Sequence, residues 1–391
     1  MFNLAMKFTT SIFFLISISL FSFSEMCFAD EKQPSPQFQH WIENLMKEYN
    51  IPGVSITVIK NYKIEWTKGF GFRNKKNHLP VNHSTLFQAA SISKPITAIA
   101  ALESFSNKHF SIDANVNDLL TSWKIPYSQY TKTQFVTLKL LLSHTAGITG
   151  VRETGYPVNK KFPTVLDILN GVAPANTPPI MMVRKPNIKY EYSPASYTIV
   201  QAMLVDMYQL PFDKIMQKLI LSPLHMNNST FIQPLPKSYY RNMAWPYLPD
   251  GTIPANSPYA FPQANGGLWT TSRDLARFTI ALQKALTGDS QDGISKKIVK
   301  EMMMPGLSHN MGHGMEVNID KYGAMSKGKG NYFRHAGSQT GYLCILVGSK
   351  QGGNGVVIMT NSGPYMTEKE VKQYDFLVKA VKHISKIEKW Q

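Results

Sequence analysis

Between residues 38 and 49 the apolar side chains Phe38, Trp41, Ile42, Leu45, Met46 and Tyr49 recur at helical spacing, with polar residues between them. One helix face repeats in this way, so an amphipathic helix is predicted over Phe38 to Tyr49. Pro52-Gly53 breaks it, and the pattern changes to alternation. Val54 to Ile59 is β-branched and predicts a strand, Asn61 to Lys63 a turn, and Ile64 to Phe72 a second strand, together a β-hairpin. From residue 91 to about 255 the pattern is mainly helical and rich in loops. Thr137 to Leu142, Val165 to Leu169, Tyr197 to Met207 and Phe212 to Leu219 read as helices, and residues 171–187, rich in Pro and Asn, as a long loop. Beyond Gly266 comes an amphipathic helix over Ser272 to Leu286, with Ser272 as its cap and Asp274 in its first turn. Lys296 to Met303 predicts another helix. Met315 to Ala324, Tyr332 to Ala336, Gly341 to Gly348 and Gly355 to Asn361 read as strands, and Glu368 to Ile384 as a terminal helix. The order implies an α+β fold. An antiparallel sheet region, about 38–90 and 260–391, carries an inserted all-helical region, about 91–259.

The N-terminus changes the picture of where the chain works. Lys7 precedes Phe8 to Phe23, which is almost wholly apolar or small, and Cys27-Phe28-Ala29 places small residues where a signal peptidase reads. This predicts a signal peptide over residues 1–29, one domain over 30–391, and a periplasmic or secreted location. An uncleaved membrane anchor is the alternative. Ser24-Glu25-Met26 fits a lipoprotein cleavage site poorly. No later apolar run is long enough to span a bilayer, so no stable membrane insertion is expected after cleavage. Residues 30–37 are polar, contain Pro34 and Pro36, and read as a flexible mature N-terminus.

Composition then narrows the partners. The chain's 391 residues suffice for a large core. Its two cysteines are Cys27 and Cys344, so cleavage leaves only Cys344 and no internal disulfide. No Cys/His cluster has zinc-ligand spacing, and neither metal nor cofactor is expected. The net charge of +16 favours anionic surroundings such as envelope polymers or lipid headgroups. A generally basic, soluble surface explains it equally well. The lysines are scattered rather than gathered with aromatics in one stripe, which argues against nucleic acid.

The candidate chemistry sits in Ser91-Ile-Ser-Lys94. Small and apolar residues follow Ser91 at helical spacing, and residues three apart share a helix face, so Lys94 is expected beside the Ser91 hydroxyl. An adjacent base turns a poor serine nucleophile into a good one. An amine serves as that base only when neutral, and burial shifts a lysine in that direction. Backbone N–H groups at a helix start would lie near a developing oxyanion. Ser-x-x-Lys also occurs on solvated helix faces. Here the apolar context and Pro95, tolerated only in a first turn, favour a helix beginning at or just before Ser91.

Six stretches carry a resemblance. They are Ser91-Ile-Ser-Lys94, Leu141-Leu-Ser-His-Thr-Ala-Gly147, Tyr190-Glu-Tyr192-Ser-Pro-Ala-Ser-Tyr197, Pro223-Leu-His-Met226, Gly266-Gly-Leu-Trp-Thr-Thr-Ser-Arg-Asp274 and His335-Ala-Gly337. In this order the chain resembles, from about residue 38 to 385, the serine beta-lactamase-related hydrolases: class C beta-lactamases, D,D-peptidases and family VIII-type esterases. The resemblance implies a cleft between an all-helical region and an antiparallel sheet flanked by helices. It implies an acyl group on Ser91, with Lys94 as base or proton relay and Tyr192 relaying protons to the leaving group. A phenol needs nearby cations for that work, since its reference pKa is about 10. The alternative for Tyr192 is a core tyrosine beside Tyr190 and Tyr197. His335-Ala336-Gly337 stands where many relatives have Lys-Thr-Gly, so His335 and Gly337 are expected to bind substrate, with Gly337 letting it approach the strand. The backbone N–H groups of Ser91 and Ser338 would form the oxyanion hole. His144 is expected to pack within the helical region.

Departures from the family pattern shift the activity. Pro194 stands where beta-lactamases usually carry an asparagine, and His335 replaces a permanent cation with a group expected to titrate near neutrality. When protonated it would anchor a carboxylate. Both changes weaken a beta-lactamase reading in favour of an esterase or D,D-peptidase-like enzyme acting on a small molecule or short peptide, cell-envelope fragments included. A class C-like beta-lactamase, or a penicillin-binding sensor or scaffold that does not turn over, is the alternative. Intact Ser91, Lys94 and Tyr192 argue against a catalytically dead scaffold.

Overall fold

The computed structural model describes residues 32–132, 134–149, 154–289, 293–326, 330–364 and 372–390. The expected signal peptide, with Cys27, lies outside the described residues. Seven strands form the main sheet: β1 (Gly53–Lys60), β2 (Lys63–Asn74), β3 (Leu79–Pro80), β4 (Glu316–Ile319), β5 (Tyr332–Gln339), β6 (Tyr342–Ser349) and β7 (Gly355–Thr360). Their order is β3-β2-β1-β7-β6-β5-β4, with every neighbouring pair antiparallel. The hairpin expected at Asn61 to Lys63 therefore forms one side of the sheet, edged by the short β3, and the C-terminal strands complete it. Ile358 lies across from Ile56 on one side and Ile345 on the other, which fixes the central register.

Helices cover both faces. Helix α1 (Pro36–Glu48) starts two residues earlier than its apolar stripe because the Ser35 hydroxyl accepts the Phe38 N–H and Pro36 takes the first turn. With α7 (Gln373–Ile387) it buries Phe38, Ile42, Phe376 and Ile384 against Val54, Ile56, Val58 and Ile345. Each such side chain contributes about 1.5–3 kcal/mol on burial. The start of the expected terminal helix, at residues 368–371, lies outside the described residues. The other face packs on α6 (Ser272–Thr287). Ser272 does not cap this helix. The Thr271 hydroxyl accepts the Asp274 N–H instead, and Ser272 Oγ lies 2.8 Å from both Ser55 Oγ and Thr57 Oγ1 of β1.

Between β3 and α6 the chain is mostly helix and loop: α2 (Ser93–Asn107), α3 (Leu138–Leu142), α4 (Val165–Asn170) and α5 (Pro194–Tyr208). Pro194 has a local reason: it occupies the first position of α5, where its missing N–H costs nothing. The helix expected over Phe212 to Leu219 is α-helical only from Phe212 to Met216 and continues as a π-helical turn, Gln217–Leu221. Several strands depart from their expected lengths; β2 runs from Lys63 to Asn74 rather than from Ile64 to Phe72. β4 ends at Ile319 because the Asp320 carboxylate accepts the Tyr322 and Ala324 N–H groups and turns the chain. β5 runs through Gly337 to Gln339 rather than ending at Ala336.

Candidate active site

Ser91 sits in a one-turn 3₁₀ segment, Ala90–Ile92, that runs directly into α2. The serine thus precedes the α-helix by one turn instead of opening it, and Pro95 falls in the first turn of α2, where it is tolerated. Ala90 has φ +49°, a left-handed conformation that costs an alanine roughly 1–3 kcal/mol. The surroundings over-determine it. The Ser93 hydroxyl donates to the Ala90 carbonyl at 2.7 Å and accepts the Leu268 N–H at 3.1 Å, while the Ala89 N–H donates to the Leu268 carbonyl at 2.9 Å. No sequence motif announces this strain.

Lys94 is 1% exposed. Its Nζ lies 3.1 Å from Ser91 Oγ and donates to the Asn265 carbonyl at 2.6 Å. It also stands 5.0 Å from the Tyr192 ring centroid and 5.9 Å from that of Tyr197. Tyr192 arrives from the loop before α5, and its phenol donates to Ser91 Oγ at 2.8 Å. Three tyrosines cluster here, and their environments separate them. Burial pushes the Tyr190 phenol up to about 12, with Tyr192 and Glu316 adding to it, and raises Tyr197 well above the usual range. The Tyr197 hydroxyl donates to the Leu142 carbonyl at 3.2 Å. Tyr192 is the one in contact with Ser91.

The opposite wall is the outer edge of β5. β4 pairs with that edge only as far as Arg334, so from His335 to Gln339 the outer edge has no strand beside it among the described residues, while the inner edge pairs with β6. It packs instead against the Ala90–Ile92 turn. Gly337 is the point of closest approach. A Cβ there would fall 2.3 Å from the Ala89 carbonyl oxygen and 2.5 Å from Cys344 Sγ. The missing side chain admits the turn that carries Ser91. The contact brings the Ser338 backbone to the cleft, where Ser338 lines a cavity of about 190 Å³ with Ser91, Lys94 and Tyr192.

His335 also lines the cavity, yet it is 2% exposed. Its Nδ1 lies 2.8 Å from the Ala336 carbonyl, so the ring proton belongs there and Nε2 is the acceptor, with no protein partner among the described residues. Burial lowers its pKa to about 4, against a smaller opposing pull from Glu316. Against the expectation of titration near neutrality, burial favours the neutral ring at pH 7. Glu316 borders the cavity and pairs with Arg334 at 2.6 Å.

Sequence reasoning missed Asn265, Gln339, Glu316, Phe261 and Tyr374, all of which line the cavity. Asn265 acts through its carbonyl, which no side-chain motif encodes, although it directly precedes the Gly266-Gly267 stretch. Gln339 Nε2 donates to the Gly266 carbonyl at 2.9 Å and so ties the strand wall to the helical wall. Among the described residues no group of three His, Cys, Asp or Glu side chains converges to hold a metal ion.

A hydroxyl held between an amine and a phenol, facing a strand edge with a backbone N–H to offer, has the parts needed for acyl transfer. The Beta-lactamase family model matches residues 38–379. Protein flp of Staphylococcus aureus is 24% identical over 328 residues, which cover 83% of this chain and 62% of that protein. The chain therefore spans somewhat less than two thirds of that relative. Among solved structures, an octameric penicillin-binding protein homologue from Pyrococcus abyssi superposes with TM-score 0.69 at 22% identity, covering 89% of this chain and 76% of its own. A penicillin binding protein from Bacillus halodurans gives TM-score 0.66 at 18% identity, covering 88% and 98%. These likenesses show the beta-lactamase-like fold, an antiparallel sheet flanked by helices.

Proposed function

Since this chain belongs to the beta-lactamase family, we propose that it is an exported serine hydrolase that cleaves an ester or amide bond through an acyl-enzyme on Ser91. One observation carries the reading: Ser91 Oγ lies within hydrogen-bond distance of both Lys94 Nζ, at 3.1 Å, and the Tyr192 hydroxyl, at 2.8 Å. A neutral Lys94 amine gives an N–H to the Asn265 carbonyl and turns its lone pair to the Ser91 hydroxyl. As Oγ attacks the carbonyl carbon, its proton passes to Lys94 Nζ; Tyr192 hands its phenolic proton to the leaving oxygen or nitrogen, and the Lys94 ammonium returns a proton to the phenol. The Ser91 and Ser338 N–H groups hold the oxyanion, and water then releases the acid and restores Ser91. Neutral His335 and Pro194 support an ester or small peptide over a carboxylate-bearing lactam. The substrate class is a small molecule or short peptide, cell-envelope fragments included.

Intact-mass spectrometry with a fluorophosphonate and with a penicillin, followed over time, tests this. Rapid phosphonylation of Ser91 is expected, with a penicilloyl adduct absent or slow. A penicilloyl adduct that forms fast and persists would replace the hydrolase with a penicillin-binding sensor; one that forms and clears would make it a beta-lactamase. The apolar stretch before Asp30 supports export. N-terminal sequencing of exported protein should begin at Asp30, and a lipid-bearing Cys27 would overturn that location.

A further inference from the structure

Both backbone amides flanking Tyr192 end on one residue. The Glu191 N–H donates to the His144 carbonyl at 2.9 Å, and the Ser193 N–H donates to His144 Nδ1 at 3.1 Å. The His144 ring also packs on the Tyr192 ring, with centroids 4.5 Å apart and the planes tilted by 38°. Tyr190 and Tyr197 face the same imidazole at 6.2 and 5.5 Å. His144 is 2% exposed and has φ +57°, the left-handed conformation that turns its carbonyl toward Glu191. One residue therefore offers two acceptors, one from main chain and one from side chain, on either side of the tyrosine that touches Ser91.

We infer that His144 is the positioning residue for Tyr192. It clamps the backbone before and after the tyrosine and sets the phenol against Ser91 Oγ, without itself reaching the reacting atoms. The inference rests on the reading of Tyr192 as a proton-transfer group. The clamp needs an acceptor one bond beyond Cγ and a residue that tolerates φ > 0. A neutral histidine protonated on Nε2 meets both needs. Burial, with Lys94 and His335 nearby, holds its pKa well below the ordinary value and keeps Nδ1 free to accept. Asparagine can place an acceptor at the same point and also tolerates this backbone. Glutamine places its acceptor one carbon too far, and phenylalanine keeps the ring without an acceptor.

The test is steady-state hydrolysis of a neutral aryl ester by His144→Asn, His144→Gln, Tyr192→Phe and the double variant His144→Gln/Tyr192→Phe. Misplacement of a catalytic group by about an ångström costs up to about a hundredfold. His144→Gln should accordingly lose roughly ten- to a hundredfold in kcat with KM little changed, and His144→Asn should recover most of it. The double variant should be no slower than Tyr192→Phe, because a residue acting only through the phenol has nothing left to position. Equal losses in His144→Asn and His144→Gln, or losses that multiply in the double variant, would overturn the inference. Wild-type turnover by Tyr192→Phe would instead remove the proton-transfer reading itself, whatever the His144 variants do. If thermal unfolding shows that His144→Gln does not fold at assay temperature, His144→Phe takes its place in the comparison, with the same loss expected.

Discussion

The polar groups that line the cavity are satisfied differently on its helical wall and on its strand wall. On the helical wall Ser91, Lys94, Tyr192 and the Asn265 carbonyl form one connected hydrogen-bond chain. On the strand wall His335 Nε2 and Gln339 Oε1 are buried with no protein partner among the described residues. A buried polar atom left unpaired costs about 1–3 kcal/mol, so two in one cleft are a cost borne by the fold alone. The difference separates two tasks. Bond breaking needs groups already locked against one another, whereas recognition needs groups still open to a partner. On this reading chemistry resides on the helical wall and substrate selection on the strand wall.

The comparison breaks most visibly at the helical wall. Ser91→Ala should lower aryl-ester turnover by roughly a thousandfold or more while the melting temperature holds, and Lys94→Ala should cost nearly as much. The double variant should be no slower than either one, since the two act as a unit. Residual wild-type hydrolysis in purified Ser91→Ala would move the chemistry elsewhere. The walls should also fail together at their point of contact. Gly337→Ala forces a methyl into the Ala89 carbonyl, an overpacking that costs about 1–3 kcal/mol. Because the Ser91 and Ser338 N–H groups sit on the two sides of that contact, activity should fall by up to about a hundredfold. Melting and turnover of one preparation check both; an unaffected enzyme would show that the walls tolerate separation.

What was legible in the sequence follows the same division. Helix and strand positions came from periodicity, and the serine, lysine and tyrosine came from motifs whose spacing survives as side-chain contact. Roles performed by backbone or by distant packing were not legible. Thr271 rather than Ser272 caps α6 because Ser272 is claimed by Ser55 and Thr57, more than two hundred positions away in sequence. The Asn265 carbonyl is a main-chain group at a place set by tertiary structure. The packing role of Gly337 was not legible either, since the sequence could not show that Ala89 and Cys344 fill the space a side chain there would need. His335 was assigned an ordinary titration because burial, the dominant influence on it, depends on the whole fold.

A smaller effect sharpens the contrast on the strand wall. His335→Gln keeps an acceptor but alters its position, and neutral esters should lose about tenfold in kcat/KM, the lower range of what one positioned polar group supplies. A loss as large as that of Lys94→Ala would place His335 in the proton-transfer chain and erase the division between the walls.

The smallest effect is the most discriminating. Histidine has an ordinary pKa of about 6.5, and burial in the folded chain lowers that of His335 to about 4. The unfolded chain therefore takes up this proton first as pH falls. The stability gained by keeping His335 neutral is fully present above pH 6.5 and is lost as pH drops toward about 4. Over the whole window the loss is roughly 3 kcal/mol, and His144 and His313, both shifted downward by burial, act in the same direction. Between pH 6.5 and 8 His335 does not change charge, so the kcat/KM ratio of wild type to His335→Gln should stay constant there, for a neutral ester and for a carboxylate-terminated peptide alike. Between pH 6.5 and about 4.5 wild type should lose more melting temperature than His335→Gln, because glutamine takes up no proton. If the ratio instead swings several-fold around pH 6.5, and only for the anionic substrate, then His335 protonates within the cleft. The strand wall would then carry a switchable cation rather than a fixed neutral acceptor.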